Sequence, residues 1–138
     1  MDDRTTISLL KKTPIFARTS DASLASMVKS AVKKSVPAGT KIVEEGQGGV
    51  GFYLILSGRA EVIQGGKKLA EFSQGNFFGE LTVIDGAPRT ADVVAIEDTQ
   101  VLVITQWAMR SIINSHPEIA QSMLEELARR LRATDEAR

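Results

Sequence analysis

Cysteine is absent from this chain and histidine occurs once, at residue 116. Without thiols there is no disulfide, no thiolate zinc site, no iron–sulfur cluster and no cysteine nucleophile, and a single imidazole excludes a histidine metal cluster too. No metal or cofactor is therefore expected, and the lack of cysteine is compatible with a reducing compartment. Neither sign of charge is in surplus, since 17 Lys and Arg face 17 Asp and Glu. No global basic field draws in nucleic acid or an anionic membrane, and any anion must be held locally. Long apolar runs are missing as well: Met1 to Lys12 lacks the apolar core of a signal peptide, and nothing approaches the length that spans a bilayer. The expectation is a cytoplasmic protein with neither nucleic-acid nor membrane partner. What is present, 138 residues with 43% apolar and 25% charged, is enough for one globular domain with a core of its own.

The glycines, 11 in all, fall between Gly39 and Gly86. That punctuation predicts helix, then a tight-turned sheet, then more sheet and helix. Leu24, Met27, Val28, Ala31 and Val32 recur at helical spacing behind Ser20 and Asp21, which predicts a helix over 21–34 stopped by Val36-Pro37-Ala38-Gly39. Short β-branched or aromatic runs follow at 41–45, 52–57, 60–64, 69–72, 92–96 and 100–104, with Gln64-Gly65-Gly66-Lys67 as a hairpin turn. Thr105 then caps a helix over 106–115, and Pro117 opens a last one. In that helix Ile119, Ala120, Met123, Leu124, Leu127, Ala128 and Leu131 form one stripe, with Glu125–Arg129 and Glu126–Arg130 as i, i+4 pairs. The fold class expected is mainly β with flanking helices: an antiparallel β-roll or jelly roll with N-terminal helices and two C-terminal helices.

The chemistry gathers in Phe77-Phe78-Gly79-Glu80-Leu81-Thr82-Val83-Ile84-Asp85-Gly86-Ala87-Pro88-Arg89-Thr90-Ala91. A Gly-Glu opening a short apolar turn of helix exposes unpaired backbone N–H groups suited to an anionic oxygen, and Gly79 lets a ligand approach them closely. Arg89 offers a planar fork of donors matched to two phosphate oxygens. Glu80 adds nothing to phosphate affinity but accepts well from a hydroxyl, so the pair points to a ligand with both a phosphate and a sugar.

This segment resembles the phosphate-binding cassette of cyclic-nucleotide-binding domains: Phe-Gly-Glu, a hydrophobic turn, then Pro-Arg-(Thr, Ala or Ser)-Ala at the same spacing. Pro37-Ala38-Gly39-Thr40 with Ile42 and Glu45-Gly46 is similar to the family's first β-turn. Phe52-Tyr53-Leu54-Ile55 with Ser57-Gly58 is similar to its next strand, and Leu10 to Phe16 to its short helical lead-in. The resemblance covers roughly residues 7 to 135. It implies that Glu80 accepts the ribose 2′-hydroxyl, that Arg89 pairs with the cyclic phosphate, and that Gly79, Leu81 and Ala91 present backbone N–H groups next to Phe78. Thr90 stands where a hydroxyl reaches a phosphate oxygen or the amino group of a syn guanine, while Val62 and Leu69 line base and ribose from the sheet. The ligand implied is cyclic AMP, favoured over cyclic GMP. At the loop after Glu45-Gly46 the chain departs from many members, with Gln47-Gly48-Gly49-Val50-Gly51 in place of flanking acidic residues.

The organisation expected is a single domain over 1–138: a helical lead-in over 1–36, a roll with the cassette over 37–104 and C-terminal helices over 105–138. Its expected function is that of a stand-alone receptor signalling to an unknown protein partner by helix rearrangement, with the last helix able to support a homodimer. The alternatives are the sensor fragment of a helix-turn-helix regulator, whose DNA-binding segment is not in the chain, and a ligand-free roll in which Glu80 and Arg89 form a structural ion pair. An enzyme is not expected, because the carboxylates and hydroxyls that remain form no catalytic motif. His116 reads as a turn or cap residue, Trp107 and Met109 as packing residues, and Lys33-Lys34 and Lys67-Lys68 as solvated faces.

Overall fold

A computed structural model describes residues 2–44, 46, 51–79 and 91–136. Helix α1 (Asp3–Lys11) starts at Asp2, whose carboxylate accepts a 2.8 Å hydrogen bond from the Thr5 N–H. That acceptor satisfies one orphan amide and sits at the positive end of the helix. Hydrogen bonds from the Thr5 side chain, then from its backbone, hold the Asp2 carboxyl below its ordinary value. The sequence had placed a helical lead-in over Leu10–Phe16; helix instead ends at Lys11, and tight turns follow. The Thr13 hydroxyl donates to the Leu10 carbonyl at 2.7 Å and accepts from the Phe16 N–H at 3.4 Å, which folds Leu10, Ile15 and Phe16 into the core.

Helix α2 (Asp21–Ser30) begins as expected, with the Ser20 hydroxyl accepting from the Ser23 N–H at 3.2 Å. It stops short of the expected Lys34. Residues Val32–Val36 form strand β1, paired antiparallel with Thr99–Thr105 in the register Val32↔Val103 to Val36↔Thr99. The helical spacing of Ala31 and Val32 is weak against a ladder that pairs a whole strand of backbone groups, and β-branched valines suit the strand. The stretch 1–36 thus contains a strand as well as helices.

The remaining strands are β2 (Lys41–Val43), β3 (Gly51–Ser57), β4 (Arg59–Gln64), β5 (Lys67–Ser73), β6 (Phe77–Phe78), β7 (Asp92–Ala95) and β8 (Thr99–Thr105). They make two 4-stranded antiparallel sheets in the orders β1-β8-β3-β6 and β2-β7-β4-β5. The expected roll is therefore present, with β1 and β6 additional to the strands read from the sequence. Pro37–Thr40 closes its turn with a 3.1 Å bond from the Thr40 N–H to the Pro37 carbonyl, with Gly39 at φ +86°. Gly65 and Gly66, at φ +56° and +79°, form the β4–β5 hairpin turn that only glycine-like residues enter cheaply.

Within the first sheet β3 is covered on both faces, which is why it reads as an unbroken apolar run rather than an alternation. Phe52, Leu54 and Leu56 pack against the helices with Phe16, Leu24 and Met27, whereas Tyr53 and Ile55 point between the sheets against Ala60, Val93 and Ala95. The second sheet is covered on one face only. Arg59 pairs with Glu71 at 2.8 Å and Glu97 at 3.2 Å, and Lys68 with Glu71 at 3.3 Å and Glu61 at 3.4 Å. These partners push the pKa of Arg59 and Lys68 up from their ordinary values.

Helix α3 (Gln106–Ser115) is capped by the Thr105 hydroxyl, which accepts from the Ala108 N–H at 3.2 Å. His116 terminates it, donating its N–H to the Ile112 carbonyl at 2.9 Å, and is a cap residue as read. Met109 is buried, but Trp107 is 82% exposed, which corrects its reading as a packing residue. The buried face of α3 passes through Met109 with Ile112 and Ile113, and a residue two positions before Met109 projects to the opposite side. In helix α4 (Pro117–Glu136) only the first part of the stripe docks: Ile119 and Met123 are buried, while Leu124 and Leu131 are 63% exposed. The expected Glu125–Arg129 pair gives way to other partners on both sides. Arg18 donates to the Ser122 hydroxyl at 2.8 Å and to Glu125 at 3.2 Å, and Glu126 takes Arg129 at 2.6 Å instead. The Arg130 side chain lies outside the described residues.

Candidate functional site

The segment singled out by its chemistry connects the two sheets, and both of its ends are anchored. At the entrance the Phe77-Phe78 pair is split between the two cores. Phe77 stacks on Phe52 with ring centroids 5.4 Å apart on the helix side. Phe78 lies between the sheets, stacked on Tyr53 at 5.0 Å and on Phe72 at 5.3 Å, with interplanar angles of 3° and 8°. Alternation along a two-residue strand thus nails the chain to both sides of the sheet just before it leaves. Gly79 follows at φ +90°, a conformation that side chains resist, so the turn away from β6 requires it.

At the exit Ala91 is half-buried and Asp92 begins β7. Asp92 accepts an ion pair from Lys41 at 3.3 Å, while Glu44 approaches the same ammonium at 3.6 Å. Asp92, then Glu44, raises the pKa of Lys41 from its ordinary value. Val62 of β4 sits opposite Val93, and Ile63 opposite Asp92, so Val62 borders the exit strand on the covered face of the second sheet. Leu69 is 58% exposed at an irregularity in β5: Val62 pairs with Ala70 and Ile63 with Lys68, which leaves Leu69 between them without a partner across the ladder.

Of the candidate residues, Phe78, Gly79, Ala91, Val62 and Leu69 are therefore described, and Glu80, Leu81, Arg89 and Thr90 lie outside the described residues. Phe78 is 6% exposed, and its ring serves as an anchor for the loop through Tyr53 and Phe72. Sequence reasoning missed two supports: the Phe72–Phe78–Tyr53 stack and the Lys41–Asp92 clasp. Strand register brings Tyr53 to Phe78 within one sheet, and packing of the two sheets brings Phe72 of β5 onto Phe78. Among the described residues there is no group of three or more His, Asp or Glu side chains able to hold a metal ion, and no helix long and apolar enough to cross a membrane.

Known proteins arrange their chains in the same way. The family model for the cyclic nucleotide-binding domain matches residues 33–116, from β1 to the end of α3. The chain belongs to the cyclic-nucleotide-binding domain family. A CRP-like cAMP-activated global transcriptional regulator of Mycobacterium tuberculosis is 30% identical to this cyclic-nucleotide-binding domain over 132 residues, 92% of this chain and 59% of the regulator. A cyclic nucleotide-gated potassium channel of Rhizobium etli is 32% identical over 115 residues, 83% of this chain and 32% of the channel. Among solved structures, the catabolite activator protein of Thermus thermophilus superposes with a TM-score of 0.83 at 29% identity, covering 91% of this chain and 61% of that one. The chain thus spans about three-fifths or less of these relatives. It is a binding domain with the family's antiparallel roll, and the cassette expected from the sequence falls inside the matched region.

Proposed function

We propose that this domain is a receptor for a cyclic nucleotide, cyclic AMP in preference to cyclic GMP, and that binding is relayed through its helices to a partner protein. The observation that carries the reading is the register of Gly79-Glu80 and Arg89-Thr90-Ala91 within a connection whose two ends are fixed to opposite sheets. In this reading Glu80 accepts the ribose 2′-hydroxyl and Arg89 grips the cyclic phosphate with a bidentate fork. The N–H groups of Gly79, Leu81 and Ala91 and the Thr90 hydroxyl complete the anion site. Val62 supplies an apolar wall, and the exposed Leu69 offers surface that a purine would cover.

The relay has a continuous physical route. Phe77, at the cassette entrance, stacks on Phe52 and shares one core cluster with Met109 of α3 and with Ile119 and Met123 of α4. A ligand that draws the cassette inward therefore acts on the same packed layer that seats both C-terminal helices. It shifts an equilibrium only by its difference in affinity for the two arrangements. Hydrogen exchange with and without nucleotide tests the relay. Changed protection in residues 106–135 at saturation is expected, and unchanged protection contradicts it. A second reading, the sensor portion of a transcription regulator, is favoured by the 59% span of the Mycobacterium tuberculosis relative. Under it the same helices would relay to a DNA-binding segment instead of a separate partner.

A further inference from the structure

We propose that Lys41 and Asp92 are a positioning pair for the nucleotide site, holding the exit of the cassette where Ala91 serves the phosphate and so setting ligand affinity; this rests on the cyclic-nucleotide reading of that connection. Its two ends are fixed by different physics. At the entrance Phe78 is 6% exposed and stacked between Tyr53 and Phe72, a packed apolar anchor. At the exit the ladder between β2 and β7 stops at Val43↔Val93, one residue short of Asp92. Asp92 keeps its ladder position opposite Ile63 on the β4 side. On the β2 side a charge takes over, with the Lys41 ammonium 3.3 Å from the Asp92 carboxylate.

Strand register explains why this lysine reaches that acid. Lys41 stands opposite Val94, and the irregularity between Lys41 and Val43 places one extra residue in β2. Asp92 is therefore the diagonal neighbour of Lys41, two residues from Val94 on the same face. Val93 and Ala95 are buried between the sheets, so by alternation Asp92 and Val94 lie on the outward face. Val62, the apolar wall of the proposed site, packs on the covered face instead. The pair thus acts from behind the sheet and through the chain, since Asp92 is bonded directly to Ala91. Its side chains are 49% and 20% exposed, so salt and substitution reach it without opening the core. Glu44, 3.6 Å from the same ammonium, competes for it. By charge alone the Asp92 carboxylate disfavours a nearby anionic ligand, so its removal would tighten binding. A positioning role gives the opposite sign.

Calorimetric titration with cyclic AMP on wild type, Lys41→Met, Asp92→Asn and the double variant tests this, each protein being checked for folding by circular dichroism and urea unfolding. Each single substitution should weaken binding by about two- to fivefold, the scale of a part-exposed ion pair. The double variant should lose no more than the larger single loss, because both substitutions break one interaction. Lys41→Arg, which can still pair with the acid, should recover most of the affinity, and Glu44→Gln, which removes the competing acceptor, should not weaken binding. The deficit of Lys41→Met should shrink between about 0.1 M and about 1 M salt, as screening weakens the pair in wild type. Lys41→Gln takes the place of Lys41→Met if the latter does not fold. Unchanged or tighter binding in Asp92→Asn, additive losses, equal losses in Glu44→Gln and Asp92→Asn, or a deficit that salt leaves untouched would each overturn the positioning role while cyclic AMP still binds. A folded wild-type chain that binds no cyclic AMP overturns the nucleotide site itself, and the positioning role with it.

Discussion

Replacing Phe78 by alanine should cost the fold about 3–5 kcal/mol, the range for deleting a buried aromatic side chain. The ring is 6% exposed and stacked on both Tyr53 and Phe72, at 5.0 and 5.3 Å. Each such pairing contributes about 0.5–1.5 kcal/mol beyond the burial of area, so the two account for about 1–3 kcal/mol, and the lost transfer energy and the cavity supply the rest. Phe78→Leu keeps an apolar filling but forfeits the stacking, and should cost about 1–3 kcal/mol. Urea unfolding with an unchanged slope measures both. A second consequence concerns the ligand, since Phe78 holds the entrance of the cassette. At a nucleotide concentration of 100 times the dissociation constant the wild-type protein should gain about 2.7 kcal/mol of stability. Phe78→Leu should gain less at the same concentration. An alanine variant destabilised by under about 1 kcal/mol would refute the packing argument, and an undiminished ligand increment in Phe78→Leu would refute the link from this ring to the site.

Further expectations follow from the charged groups. Arg89→Lys should weaken nucleotide binding by about 1–3 kcal/mol with the fold intact, because a point charge cannot replace a bidentate fork; calorimetry giving equal affinities would remove Arg89 from the site. Glu80→Gln retains an acceptor and should lose less affinity than Glu80→Ala in the same assay. The Asp2 cap has a folded pKa below its unfolded value, so its contribution is present above about pH 4 and disappears as pH falls through the lowered folded value. The melting-temperature difference between wild type and Asp2→Ala should therefore be seen at neutral pH and vanish in strong acid. The Arg18–Glu125 ion pair is about half-exposed on both sides, so its loss in Arg18→Ala should change global stability by less than about 1 kcal/mol. It should nevertheless speed hydrogen exchange selectively around Ser122 and Glu125, where that side chain ties α4 to the turn after α1.

Much of the roll could be read in advance where local chemistry and final structure agree. The Pro37–Thr40 turn, the Gly65-Gly66 hairpin and the Thr105 cap each depend on a residue type that few alternatives replace. What could not be read was decided by pairing at a distance. Val32 continues the helical spacing of the preceding residues, yet Val32–Val36 becomes a strand because β8 is there to receive it. Glu125 carries an i, i+4 partner in sequence and takes Arg18 across 107 residues instead. The stripe on α4 is continuous in the sequence, but the core reaches only as far as Met123, so Leu124 and Leu131 face outward. At the site, Gly79 and the aromatics before it were legible because they are contiguous, while Glu80 and Arg89 lie outside the described residues. The Lys41–Asp92 clasp and the aromatic stack under the cassette were not, because neither has a local signature.

Calorimetric titration with cyclic AMP and cyclic GMP in parallel, on the wild-type chain and on Arg89→Ala, goes most directly to whether the anchored connection is a ligand site. The expected result is saturable binding at one site per chain, tighter for cyclic AMP, and lost or reduced by at least tenfold in the variant, about 1.4 kcal/mol. Absence of binding by either nucleotide to the folded wild-type protein, or equal binding by Arg89→Ala, would contradict it.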